Sequence, residues 1–382
     1  MPNARYKTWV EINANSLKSN INSLRSLLQP GVTFCAVVKA NAYGHEIDSI
    51  VRLCLIEGIG HFAVDSIDEA IEVRKRAPEA TVFILGYTVH ERIPEIIRNN
   101  FVQTVYNEED VTEIGQCAAA EQKKAFINLK IETGTQRQGI PLKKIDPFLR
   151  EIRRFERFLE LTGISSHFAD AEHVNAPEFT HEQTRVFQEA VEIAQRLGFD
   201  PTFKHIACSA AAIAHEETQG TMVRFGITLY GLWSSEELRR ANNVSQRAID
   251  LKPVLAWRTK VAQVKDVASG TSIGYGRTYV SDRPIRIAVL PVGYYDGYKR
   301  ASSRRGQVLI KGQRCSILGT ICMNMMMVDV STLPNVKTGD TVTLLGRDGM
   351  HEITAEELAE NMSTINYEVV SQINPILPRL VI

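Results

Sequence analysis

The chain has 382 residues, more than one hydrophobic core usually serves, so two domains are expected, with ample material for a closed pocket. Its 44 Lys and Arg balance 44 Asp and Glu, and without a basic field neither nucleic acid nor an anionic membrane surface is a natural partner. A small-molecule ligand fits better.

The cysteines at 35, 54, 117, 208, 315 and 322 form no Cys-x-x-Cys pair and no short-spaced framework, so they read as reduced core thiols, and no metal centre is expected. The amino-terminal run Met1-Pro2-Asn3-Ala4-Arg5-Tyr6-Lys7 lacks an apolar signal segment, and no apolar stretch reaches bilayer length. A soluble, cytoplasmic protein is the expectation.

From Thr8 to about Gly231, short β-branched runs alternate with amphipathic stretches of helix length, as in repeated β–α units around a parallel sheet. Strands are predicted at 9–12, 33–38, 61–64, 81–85, 102–105, 125–131, 159–164, 203–207 and 222–224. Leu17, Ile21, Leu24 and Leu28 recur at helical spacing, Ser66 and Glu69 form a capping-box pattern, and Asn107 precedes an acidic first turn. The strands are one more than a (β/α)8 barrel needs, which fits if the first lies outside the ring. A doubly wound open sheet is the alternative.

The polar stretch 236–243 reads as a connector, and beyond it the helical alternation stops. Closely spaced strands follow at 254–264, 285–292, 307–310, 314–318, 325–330 and 341–345, separated by Gly, Asp and Pro turns. The expected fold class is therefore α/β: a (β/α)8 TIM-type barrel over residues 1–245, then a mostly antiparallel β domain over 246–382.

Chemistry is expected at the carboxyl ends of the barrel strands, where the following loops gather. Thr33-Phe34-Cys35-Ala36-Val37-Val38 is nearly all apolar or β-branched and delivers Lys39 to that end, just before Ala40-Asn41-Ala42-Tyr43-Gly44-His45. A desolvated lysine there suits Schiff-base chemistry. Lys130, Arg137, His167, Ser209 and Arg224 stand near the same ends of their own predicted strands. Ser209 opens the small-residue run Ala210-Ala211-Ala212, whose free amides suit a phosphate, and Gly226-Ile227 offer further amides. A lysine, a phosphate-binding segment and an arginine at one barrel mouth suggest a phosphorylated aldehyde cofactor, pyridoxal 5'-phosphate.

Taken together, these segments resemble the alanine racemase family along almost the entire chain. The resemblance rests on Val37-Val38-Lys39-Ala40-Asn41-Ala42-Tyr43-Gly44-His45, Glu132-Thr133-Gly134-Thr135-Gln136-Arg137, Ser166-His167-Phe168-Ala169, Ser209-Ala210-Ala211, Arg224-Phe225-Gly226-Ile227, Gly274-Tyr275-Gly276, Gly293-Tyr294, Cys322-Met323-Asn324 and Ile365-Asn366-Tyr367-Glu368. It implies Lys39 as the pyridoxal phosphate lysine, with Tyr43, Ser209, Gly226, Ile227 and Tyr367 on the phosphate. His167 would lie near the pyridine ring and Arg224 would face its nitrogen.

By the same resemblance, Arg137 would meet the substrate carboxylate, and Lys130 would be the family's carbamylated lysine bracing it. Tyr275 would be the second proton-transfer group, donated by the partner of a homodimer, with Tyr294 and Met323 also from the partner near the substrate. The implied activity is interconversion of L- and D-alanine, supplying D-alanine for peptidoglycan.

The chain departs from the usual family pattern at Phe225, at Thr135-Gln136, at Cys208 and at Asn324, where an aspartate is usual. These departures keep serine or a broader amino-acid range open as the substrate. By class, the alternatives are a pyridoxal phosphate-dependent decarboxylase of the same two-domain plan and a cofactor carrier without turnover.

Overall fold

A computed structural model of the chain describes residues 5–382. They divide into two compact units that are interleaved in sequence. One holds Lys18–Ala42 and Ile47–Lys252; the other holds the described residues up to Leu17, Tyr43–Glu46 and Pro253–Ile382.

The first unit is a ring of parallel strands. In spatial order these are Met222–Phe225, Thr33–Val37, His61–Val64, Thr81–Ile84, Val102–Val105, Ala125–Glu132, Leu159–Ser165 and Phe203–His205. The ring closes where Thr221 N donates to Lys204 O at 2.9 Å and Arg224 N donates to Ala207 O at 3.2 Å. Cys35, Ala36, Phe62, Ala63, Val82 and Phe83 are buried, as strands covered on both faces require. Closure settles the choice between barrel and open sheet.

Helices alternate with these strands, and their starts follow local chemistry. Ser66 Oγ accepts from Glu69 N at 3.3 Å and caps Ile67–Arg76. The Glu69 carboxylate turns elsewhere than the capping-box pattern predicts, accepting from Asp65 N at 2.9 Å and Asn41 N at 3.2 Å. Asn107 does precede the helix Glu108–Ala120, but its side chain donates to Asp110 instead of capping an amide. Leu17, Ile21 and Leu24 are buried, whereas Leu28 lies past the end of Ala14–Arg25 and is only half-buried.

The stretch expected as a connector is itself a helix, Glu236–Asn243. Ser235 Oγ caps it by accepting from Leu238 N at 3.0 Å, and Leu238 is buried. Its polar composition reflects one exposed face.

The second unit is a largely antiparallel sheet in the order Gln263–Val267, Ile285–Leu290, Met326–Asp329, Gln313–Leu318, Gln307–Ile310, Thr341–Asp348, Leu255–Lys260, Thr8–Ile12 and Arg379–Val381. The Thr8–Ile12 strand, expected outside the ring, pairs here, antiparallel with Leu255–Lys260 and parallel with Arg379–Val381. The predicted strand 254–264 is two strands. Lys260 pairs with Thr341 and Gln263 with Val289, so the chain changes neighbours at Val261-Ala262. Among the described residues, no helix is long and apolar enough to cross a membrane.

Candidate functional site

Lys39 begins a turn in which Ala40, Asn41, Ala42 and Tyr43 all have φ of 53° or 54°, in the left-handed region. Such a run costs about 1–2 kcal/mol per non-glycine residue, and strain of this kind concentrates at functional sites. Three fixed bonds hold it: Ala42 N donates to Val38 O at 2.8 Å, Asn41 Oδ1 accepts from Ile47 N at 2.9 Å, and Asn41 N meets Glu69. The turn leaves the Lys39 ammonium half-buried, 3.7 Å from Asp65 Oδ1.

Arg224 stands one residue before the end of the neighbouring strand with its side chain in the barrel interior, 5% exposed. Its guanidinium donates to Ser166 O at 2.8 Å, His205 O at 2.9 Å, Ile206 O at 3.1 Å and His167 Nδ1 at 3.3 Å, and it also contacts His205 Nδ1. Behind it, His205 Nε2 faces Asn128 Oδ1 at 3.0 Å, while Asn128 Nδ2 donates to Ser165 Oγ at 2.8 Å and Thr104 Oγ1 at 3.2 Å. This chain from Thr104 to Arg224 was not anticipated from sequence. Asn128 and His205 lie inside predicted strands, where a polar residue reads as one face of an alternation; the signal was that a fully covered strand has no polar face to offer.

A bulge makes room for it. The register shifts between Ile127 and Asn128, so that Asn128 stands opposite Gly163, and a Cβ on Gly163 would lie 2.6 Å from Asn128 Oδ1.

His167 gathers the predicted cations around it. Burial first, and then the charges of Arg224, Lys130, Arg137 and Lys39, hold its imidazolium well below the usual histidine range. The Lys130 ammonium is likewise pushed well below the usual lysine range by burial, Arg224 and Arg137, with Glu132 opposing. The strand-end residues anticipated from sequence thus share one electrostatic neighbourhood. Ser166 Oγ, Thr133 Oγ1 and Gln183 Nε2 brace it, with Ser166 and Thr133 at 2.7 Å and Gln183 donating to Thr133 at 3.0 Å and His167 O at 3.1 Å.

Ser209 and Gly226 also meet: Gly226 N donates to Ser209 Oγ at 3.0 Å. Ser209 is the first residue of the short helix Ser209–Ala214, with Cys208 at the cap position making no side-chain cap bond. Burial raises the Cys208 thiol, so a packed, unreactive cysteine fits better than a reactive one. Phe225 is buried on the face of its strand opposite Arg224, against Phe34, ring centroids 4.5 Å apart. Ile227 starts the turn Ile227–Tyr230, and Tyr230 Oη donates to Val37 O at 2.8 Å, tying that turn to the strand that carries Lys39.

The remaining predicted residues lie in the second unit. Tyr43 and Tyr367 are neighbours there, ring centroids 6.1 Å apart. Tyr294 N donates to Cys322 O at 3.1 Å and Tyr295 N to Met323 O at 2.9 Å, which packs the Gly293-Tyr294 turn on Cys322-Met323-Asn324. Gly293 permits this approach, since a Cβ there would lie 2.1 Å from Cys322 O. Asp296 stabilises the turn by accepting from Gly293 N at 2.9 Å, and Asn324 Nδ2 donates to the same carboxylate at 3.4 Å. Tyr275, Tyr294 and Met323 are 74%, 40% and 55% exposed.

Comparison with known proteins follows the same division. Residues 12–234 match the model for the alanine racemase N-terminal domain and residues 254–381 that for the alanine racemase C-terminal domain. An alanine racemase of Leptospira interrogans is 35% identical over 99% of this chain and 96% of its own length. One from Methanococcus maripaludis is 38% identical over 97% and 98%. Among solved structures, the Clostridium difficile alanine racemase superposes with a TM-score of 0.92 at 32% identity, covering 99% of this chain and 96% of its own. The Bacillus anthracis alanine racemase with bound L-Ala-P gives 0.92 at 33% identity, over 98% and 95%. Matched end to end in sequence and in fold, the chain belongs to the alanine racemase family.

Proposed function

We propose that this enzyme interconverts L- and D-alanine with pyridoxal 5'-phosphate, using Lys39 and Tyr275 of the partner subunit as the two proton-transfer groups. The observation that carries the reading is that Arg224 donates to His167 Nδ1 at 3.3 Å, where the charges of Arg137 and Lys39 also bear on the imidazole, while Gly226 N, two residues past Arg224, donates to Ser209 Oγ at 3.0 Å. Such a cationic cluster suits a phosphate and a carboxylate held together.

The residues present fit the cofactor. Lys39 would hold it covalently, Ser209, Gly226 and Ile227 would hold its phosphate with Tyr43 and Tyr367, and His167 would lie along its ring. Arg224 is a donor-only group, already donating to three carbonyl oxygens and two ring nitrogens, so a pyridine nitrogen beside it would serve as acceptor and stay unprotonated. When bound, the cofactor supplies a conjugated system that accepts the electron pair left at the substrate Cα.

The rest of the chemistry belongs to the chain. Racemisation needs one group to take the Cα proton and another to return a proton on the opposite face, each typically supplying about 10²–10⁴ in rate. Lys39 serves one face and the partner subunit's Tyr275 the other. Arg137 holds the substrate carboxylate, and the low affinity of Lys130 for protons suits a carbamylated lysine, since the neutral amine is the form that reacts with carbon dioxide.

Exposure of Tyr275, Tyr294, Tyr295, Met323 and Met325 supports a homodimer, because a cluster of large apolar side chains in solvent marks an interaction surface. Tyr294 and Met323 of the partner subunit would then border the substrate. The product would supply cytoplasmic peptidoglycan synthesis with D-alanine.

The test is a panel of optically pure L- and D-amino acids incubated with cofactor-loaded enzyme, with chirality read afterwards. Alanine is expected to racemise fastest, and serine measures the effect of Asn324. The visible band of the lysine-bound cofactor should vanish in Lys39→Ala. Retention of every amino acid's configuration would overturn the reading, and carbon dioxide release would replace it with decarboxylation.

A further inference from the structure

The barrel unit carries a cluster of ligand-type side chains that the proposed reaction does not use. His181 lies in the first turn of the helix Glu178–Arg196, His215 is the C-cap residue of Ser209–Ala214, and Glu217 stands two residues farther on. The two imidazoles meet edge to face, with centroids 6.1 Å apart at 83°. Glu217 Oε1 lies 3.9 Å from His181 Nε2 and 3.8 Å from His215 Nδ1. One ligand atom from each residue lies within 4.8 Å of the other two.

Ordinary packing does not explain this arrangement. His215 is 6% exposed, and its Nε2 is buried without a hydrogen-bond partner. Its Nδ1 faces Glu217 across a gap longer than a hydrogen bond. A histidine kept only for structure would normally pair its ring nitrogens, and a metal ion at Nδ1 would give His215 a partner on the side that faces Glu217.

We propose that His181, His215 and Glu217 form a binding site for a divalent transition-metal ion, with zinc as the best match. Two imidazole nitrogens and one carboxylate oxygen are a zinc donor set, and the softer-ligand and all-oxygen preferences of copper(I) and magnesium fit it less well. His181 and Glu217 are exposed, which leaves a fourth position to water. Zinc bonds of about 2.0–2.2 Å place tetrahedral ligands about 3.3–3.6 Å apart, so Glu217 needs to close on each imidazole by only a few tenths of an ångström, and the exposed His181 side chain can swing in toward His215 across the longer remaining gap. Binding ties the start of one barrel helix to the segment after the next, and so stabilises the folded chain.

The experiment titrates zinc into the full-length, cofactor-loaded enzyme in competition with a chromophoric chelator, and records unfolding temperature alongside. Wild type is expected to fill this site once per chain and to melt at a higher temperature with zinc. His181→Ala and Glu217→Gln alter exposed side chains outside the proposed reaction; each should weaken binding by about tenfold or more and remove the thermal shift, while turnover persists. Persistent turnover separates a failure here from a failure of the racemase reading. Both variants keep every other histidine, carboxylate and cysteine, so zinc taken up equally by wild type and variants binds elsewhere on the chain and overturns the proposal. So does a wild type that takes up none.

Discussion

Arg224 and His205 are joined inside the barrel through both the ring and the backbone of the histidine: the guanidinium meets Nδ1 and donates to the His205 carbonyl at 2.9 Å. Because arginine has only donors, Nδ1 must accept, and the ring proton therefore sits on Nε2, facing Asn128 Oδ1. A second proton on His205 would set donor against donor. Burial, Arg224 and Lys130 accordingly hold its pKa well below the ordinary value of 6.5.

Stability should consequently fall as the solution is acidified from pH 7 to pH 5. Unfolded His205 and His167 titrate near 6.5, whereas the folded chain keeps both neutral to much lower pH, so below 6.5 the unfolded state binds more protons. Each fully unmatched proton costs about 1.4 kcal/mol per pH unit, the unfolded state gaining as pH drops. The exposed carboxylates with lowered values, such as Asp146 and Glu182, start from 3.8 and 4.5 and act below this window. Urea midpoints between pH 8 and pH 5 check the slope; a midpoint that holds or rises toward pH 5 contradicts it.

Asn128→Ala should destabilise the barrel by about 1–3 kcal/mol or more, since His205 Nε2 loses its acceptor and two hydroxyls lose a donor. Gly163→Ala should act on the same bonds, because its new methyl would displace the Asn128 side chain. The double variant should then cost clearly less than the sum of the singles, as expected for one shared network. Additive losses in a denaturation cycle would mean that the two positions act separately.

Reading the sequence reached the barrel, the β domain and the strand-end cations, and the reasons are local. Lys39 stood out because an apolar run ended in a turn, and Arg224 because a charge followed Met222-Val223. What stayed hidden depends on partners distant in sequence. All five residues of Thr8–Ile12 are buried, so their pattern cannot say which sheet they join. The left-handed path through Ala40-Asn41-Ala42 contradicts the preference of alanine and is imposed by contacts at Val38, Ile47 and Glu69. His205 and Asn128 looked like ordinary strand residues until the ring closed around them, and Asn324 gains meaning only through Asp296.

Gly44 follows the strained turn in sequence and packs tightly within the second unit. It has φ of 82°, and a Cβ would lie 2.1 Å from Val370 O, while Arg379 donates to the Gly44 carbonyl at 3.1 Å and 3.3 Å. Gly44→Ala combines backbone strain with a clash against main chain that no rotamer relieves, and should cost about 2 kcal/mol or more. Soluble yield and melting temperature at wild-type levels would show that the segment moves freely enough to absorb the methyl.

Tyr275→Phe separates chemistry from folding. The side chain is 74% exposed in the single chain, and exposed substitutions usually change stability by no more than about 0.5 kcal/mol, so the variant should fold, associate and bind cofactor as wild type does. Its phenol serves one face of the substrate in the proposed reaction and Lys39 serves the other. Loss of the hydroxyl should slow Cα-proton exchange with deuterated solvent by about 10²–10⁴ from one enantiomer while sparing the first abstraction from the other. A purely structural tyrosine would lower both exchanges equally, or neither. Near-wild-type exchange from both enantiomers would remove Tyr275 from the reaction and leave Lys39 without its counterpart.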